Sequence, residues 1–158
     1  MSRRPFSVIR SLFLWLVLLA TPLHAGVPGS TSPVNLDAAG LALGGYDPVA
    51  YFDTGKPTHG LASLAASHGG ARYLFATKAH RKAFLAMPAK YLPQFGGFCA
   101  VGTSEGEKVD VDPETGKVVD GKLYLNNSAK VQKIFEADPA GTISRAERNW
   151  PAVKHKAL

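Results

Sequence analysis

The sequence predicts a small α+β single domain of short antiparallel strands with packed helices, containing a duplicated strand-helix unit. Three observations carry that expectation. The first is internal: residues 71–88, ARYLFATKAHRKAFLAMP, align without gaps with residues 122–139, KLYLNNSAKVQKIFEADP, at an offset of 51. Tyr73/Tyr124, Leu74/Leu125, Thr77/Ser128, Phe84/Phe135 and Pro88/Pro139 coincide, with Gly70/Gly121 just upstream. The second is the Asp120-Gly121 pair behind Val118-Val119, the signal of a tight hairpin. The third is ISRAERNW, residues 143–150, where Ile143, Ala146 and Trp150 recur at near-helical spacing.

In chain order, the turn signal Gly45-Tyr46-Asp47-Pro48 precedes a β-prone run, Val49 to Phe52, expected as a short strand. Each duplicated copy reads as a strand, a Thr77 or Ser128 helix N-cap, a helix of two to three turns, and a proline that stops it. Asp112 to Gly116 is expected as a turn, and the C-terminal helix is expected to end before Pro151. Two copies are too few for a solenoid, so one core is expected.

The ends set the compartment. Arg3, Arg4 and Arg10 precede an apolar run, Leu12 to Ala20, and the small-residue exit Leu23-His24-Ala25-Gly26 follows. That is the outline of a signal peptide over residues 1–25, cut after Ala25, for periplasmic or secreted export by the general or the twin-arginine route. The apolar run is about half of the roughly 20 residues that span a bilayer, so no membrane span is expected in the mature chain. Residues 26–34, rich in Pro, Gly and Ser, read as a flexible linker, residues 35–153 as the domain, and residues 154–158 as a basic tail. Three of the 18 basic residues and none of the 12 acidic ones precede the cut, which leaves a net charge of +3. The remaining cations are scattered among acids, and nucleic-acid binding is not expected.

The duplication also acts as an internal control on chemistry. In the second copy Val131, Ile134 and Phe135 form the inward helix face; at the Val131 position the first copy carries His80. His80, Phe84 and Met87 fall on one stripe, so the imidazole is expected to face the interior or a pocket. Cys99 is the single cysteine and lies behind Gly96-Gly97. A helix starting after the glycine pair would place the thiol where the dipole favours thiolate; a strand there would not. Cys99 with His80, helped by Met87 or His68, is a ligand set suited to copper or zinc. A buried, inert thiol beside a core histidine is the alternative, and on that reading His80→Val should be tolerated. Asp47 before Pro48 could offer a carboxylate ligand or acid but is read as a turn former, and Asp110, Asp112 and Glu114 as a solvated turn with no calcium-loop glycine or glutamate.

GGYDPVAYF (44–52), HGGARYLFAT (68–77), AFLAMPAKYLPQFGGFCA (83–100) and DGKLYLNNS (120–128) resemble the YHS domain family, in its exported single-domain branch. The resemblance runs from about Gly44 to Trp150. It implies a non-enzymatic binding module linked to heavy metals. The family's cysteines fall on Ala50, Ala76 and His80, so the thiolates of its pattern are missing here. Two other readings stay open: an interaction module for an unidentified protein partner, and a thiol enzyme using Cys99 with His80 or His68 as base. No phosphate loop, dinucleotide fingerprint, nucleophile elbow or HExxH helix is present.

Overall fold

The computed structural model describes residues 26–158, so the segment expected as a signal peptide lies outside the described residues. Among the described residues, six α-helices and two separate two-stranded antiparallel sheets make a mixed α+β domain. In order they are α1 (Ala50–Asp53), β1 (Leu61–His68), β2 (Ala71–Phe75), α2 (Lys78–Ala86), α3 (Pro88–Tyr91), α4 (Ala100–Ser104), β3 (Asp112–Val119), β4 (Lys122–Asn126), α5 (Ala129–Ala137) and α6 (Pro139–Val153). Among the described residues no helix is long and apolar enough to cross a membrane.

The duplication is deeper than the aligned segments. β1 and β3, β2 and β4, and α2 and α5 all start and stop at the same offset of 51. Both hairpins carry a register shift near their open ends, between Leu61 and Ala65 and between Asp112 and Lys117. Both turn through residues of positive φ, Gly69-Gly70 (57° and 80°) and Asp120-Gly121 (49° and 71°), the signs that a type I′ turn demands. Thr77 Oγ1 accepts from His80 N at 3.0 Å and Ser128 Oγ from Val131 N at 3.4 Å, so both helices begin at the expected caps. Pro88 and Pro139 end one helix and open the next at its first position, where a missing N–H costs nothing.

Upstream the equivalence continues at an offset of 52. Leu43-Gly44-Gly45 has φ of 57°, 56° and 82°, and Phe95-Gly96-Gly97 has 52°, 61° and 83°. Leu41 bridges Arg72 as Pro93 bridges Leu123, both parallel. LGGYD (43–47) and FGGFC (95–99) are therefore the same loop in two units, and Cys99 stands where Asp47 stands. Gly96 is selected twice, by its positive φ and by Pro33 O, which leaves no room for a β-carbon.

Two buried clusters follow from the two units. One gathers Val49, Tyr73, Phe75, Phe84 and Tyr91; the other gathers Cys99, Val111, Leu123, Leu125, Phe135 and Ala146. Tyr51 of α1 locks the units together by crossing into the second cluster, where its hydroxyl donates to Pro113 O at 2.8 Å.

Several sequence expectations are corrected. Val49 to Phe52 lies at and within helix α1, because Asp47 holds the Val49 amide and starts a helical turn. Asp112 to Gly116 belongs to β3, in its irregular part. α6 runs through Pro151 to Val153, with Lys154 N still reaching Trp150 O at 2.9 Å. Ile134 is 52% exposed while Phe135 is fully buried. Residues 26–34, read as a linker, are hydrogen-bonded to the chain's end: Gly29 N donates to Leu158 O and Leu158 N to Ser30 O.

The paired phenylalanines should carry comparable energies. Phe84→Ala and Phe135→Ala are each expected to cost about 3–5 kcal/mol in urea unfolding. Ile134→Ala, with half its surface in water, should cost well under about 1 kcal/mol. Unequal phenylalanine effects would show that the units do not share their anchoring.

Candidate functional site

The buried carboxylate of Asp47 organises the first unit. Its side chain is fully buried, and three donors meet it: Val49 N at 2.8 Å on Oδ1, and Ala76 N at 2.8 Å and His80 Nδ1 at 2.6 Å on Oδ2. These groups come from the start of α1, the β2–α2 junction and the first turn of α2. The Thr77 cap sets the phase of α2, which turns His80 back toward Asp47.

The far side of the imidazole meets a second carboxylate. His80 Nε2 lies 3.2 Å from Asp53 Oδ2, with side-chain exposures of 14% for His80 and 64% for Asp53. The ring thus lies between a buried acid and an exposed one. Burial pulls the His80 pKa down, but the hydrogen bond and charge of Asp47, then those of Asp53, outweigh it, and the net shift is upward. The imidazole opens onto a cleft of about 560 Å³ walled by Val49, Phe52, Ala83 and Tyr91, with Asp53 and Lys90 also lining it.

Cys99 belongs elsewhere. It is 1% exposed within the second cluster and caps α4: Sγ accepts from Gly102 N at 3.4 Å and lies 3.8 Å from Asn126 Oδ1. A helix does begin after the glycine pair, yet the thiol is not activated. Burial raises its pKa by more than the Gly102, Asn127 and Val101 N–H groups lower it, so the thiol form is favoured. Among the described residues no histidine hydrogen-bonds to it.

The expected ligand set therefore divides. Cys99 lies in one core and His80 in the cleft on the other. Met87 is 56% exposed, because the residue before Pro88 leaves the helix (φ −145°, ψ 70°) and loses the stripe's phase. His68 is exposed at the end of β1, edge-on to Phe84 at 6.1 Å between centroids. Among the described residues no group of three or more His, Cys, Asp or Glu side chains is disposed to hold a metal ion.

Sequence reasoning missed Asp53 and preferred the turn-forming role of Asp47 over its carboxylate. Aligning LGGYD with FGGFC would have exposed Asp47 as the counterpart of Cys99, beside His80 as the counterpart of Val131. The second unit fills the same place with thiol and isopropyl, the first with carboxylate and imidazole. No family model, curated protein or solved structure matches the chain.

His80→Val now has an unfavourable sign, since it strips a buried carboxylate of its imidazole partner. A loss of about 3 kcal/mol is expected at pH 6. Adding Asp47→Cys, which copies the second unit, should recover most of it. Because the His80 pKa is raised on folding, its contribution is complete below the unfolded value of about 6.5 and fades as pH rises through the folded value. Urea midpoints at pH 6 and pH 9 should therefore differ in the wild type more than in the double variant. Equal midpoint shifts would contradict the pairing.

Proposed function

We propose that the chain is an exported binding module of the YHS type, non-enzymatic, which takes a divalent metal ion, zinc or copper(II), at His80 Nε2 and Asp53. The carrying observation is the line Asp47–His80–Asp53. A buried carboxylate holds Nδ1, and the other ring nitrogen faces an exposed acid at the edge of a cleft. A carboxylate behind the imidazole fixes its tautomer and raises its basicity as a ligand.

The donor spacing suits this reading. Two ligand atoms at about 2.0–2.1 Å from one tetrahedral ion stand about 3.3 Å apart. Nε2 and Oδ2 stand 3.2 Å apart. Asp53 can turn, being largely exposed, and the bond it makes to Nε2 is the one an ion would replace. Two protein donors are fewer than a closed structural site needs; the remaining positions fall to water or to a second ligand in the cleft, which describes an exchangeable site. Nitrogen and oxygen donors suit zinc and copper(II), whereas the softer set with Cys99 and Met87 does not assemble.

The family resemblance gains support from placement. Ala76 donates its amide to Asp47 and His80 its ring nitrogen, so two of the three positions where the family carries cysteines meet one carboxylate, while Ala50 opens α1 one residue beyond the Val49 amide that Asp47 also holds. A thiol enzyme has no such support, since Cys99 is sealed and its pKa is raised.

Equilibrium dialysis of the metal-free chain against zinc and copper(II), with bound metal counted, tests the reading. One ion per chain is expected. His80→Val and Asp53→Asn should weaken it at least about tenfold, Asp47→Asn by about 10–100-fold, and Cys99→Ala not at all. Binding that disappears with Cys99→Ala would refute the assignment. No binding at any reasonable concentration would leave the interaction-module reading.

A further inference from the structure

The residue that follows the expected cut is built into the fold. Gly26 N donates to Asp110 Oδ2 at 2.9 Å, although the two are 84 positions apart. A side chain there would have to displace its neighbours. A β-carbon on Gly26 would collide with Leu158 Cδ2 and would stand 2.8 Å from Asn35 Oδ1 and 3.2 Å from Asp110 Cγ. Asp110 is itself held, since its Oδ1 accepts from Asn35 Nδ2 at 2.9 Å and from Val111 N at 2.7 Å.

Asn35 supplies an independent observation. It is 3% exposed, and its amide orientation is fixed because Nδ2 donates both to Asp110 Oδ1 and to Gly97 O at 3.2 Å. The oxygen that remains, Oδ1, is buried with no hydrogen-bond partner, the one such side-chain atom among the described residues. A native fold rarely leaves a buried acceptor orphaned, and this one lies against Gly26. A peptide amide has one hydrogen, already given to Asp110. An ammonium has three.

We propose that the chain is cut between Ala25 and Gly26, and that the α-ammonium thereby created docks in this recess, ion-paired with Asp110 and donating to Asn35 Oδ1. The step is a hydrolysis by a peptidase of the export machinery. Water adds across the peptide bond, the Ala25 carbonyl carbon keeps the oxygen and leaves as a carboxylate, and the Gly26 nitrogen takes protons to become an ammonium. Glycine at this position serves the fold as well as the cut, because it lets the terminus approach Asn35 Oδ1 and Asp110 without moving them. Two other charged groups line the recess, Lys108 and the terminal carboxylate of Leu158, whose O accepts from Gly29 N at 2.9 Å. The ion pair assigned to the terminus is the one with Asp110, because Gly26 N already donates there. The Lys108 ammonium is engaged by the carbonyls of Ser30 (3.0 Å), Ser32 (2.6 Å) and Lys156 (3.0 Å), so it leaves Asp110 to the chain terminus. Lys108 and the docked terminus together hold residues 26–34 against the chain's end.

This inference rests on the export reading and is independent of the metal site. The test is to express the full-length chain in an exporting bacterial host, sequence the N-terminus of the exported protein, and measure acylation of its α-amine by an activated ester at pH 7.5. The chain should begin at Gly26. Its amine should react at least about tenfold more slowly than that of a chain with one extra glycine inserted after Ala25, since each unit of raised α-amino pKa removes about nine-tenths of the free base. Asp110→Asn should restore fast reaction; the insertion, which changes no folded residue, keeps the test valid if that variant folds poorly. A chain left uncut, or cut elsewhere, overturns the export premise. A chain beginning at Gly26 whose amine reacts as fast as the inserted chain's overturns the docking.

Discussion

The first half of the fold depends on supplying hydrogen-bond donors to one carboxyl group where no water reaches it. Asp47 is fully buried, and leaving its oxygens without donors there would cost several kcal/mol, a large share of the stability of a domain this size. Three donors offset that cost, and each fixes an element. The Val49 amide starts α1, the Ala76 amide sets the β2–α2 junction, and His80 brings in the first turn of α2. Buried ionic groups of this kind contribute less to net stability than to the choice of one arrangement over others. Here the arrangement chosen is the one that turns a ring nitrogen toward a cleft.

The second unit gives the meaning of that choice. The same loop, with the same run of left-handed residues, delivers Cys99, and the helix that follows delivers Val131. A thiol is small, apolar enough to bury, and still able to accept the Gly102 amide at the start of α4. The cysteine is thus a cap and a packing residue whose reactivity burial suppresses. Duplication left two equivalent places, one sealed and one polarised, and only the polarised one has a chemical outlet.

Much of the architecture was legible in the sequence. The two strand-helix copies, their Thr77 and Ser128 caps and the Asp120-Gly121 turn rest on local chemistry that the chain reads the same way wherever it folds. The direction of His80 was legible too, because helix periodicity fixes it. The extension of the repeat through β1 and β3 was not, since those strands keep backbone geometry with almost no side chains in common. The shift from an offset of 51 to 52 hid LGGYD behind FGGFC. Asp-Pro is locally a turn former, which outweighs the carboxylate reading of Asp47 in the sequence, and only tertiary placement of Ala76 and His80 makes its carboxylate the centre of a site. The pairing of Cys99 with His80 failed for the same reason: two cores separate residues that looked like partners along the chain.

The protonation of His80 tests this account most directly. In a nitrogen-15 NMR titration of the metal-free chain, the ring should stay doubly protonated above the ordinary histidine range, and on losing its proton should keep the hydrogen on Nδ1, toward Asp47. A His80 that titrates at or below about 6.5, or that settles with its proton on Nε2, would contradict it.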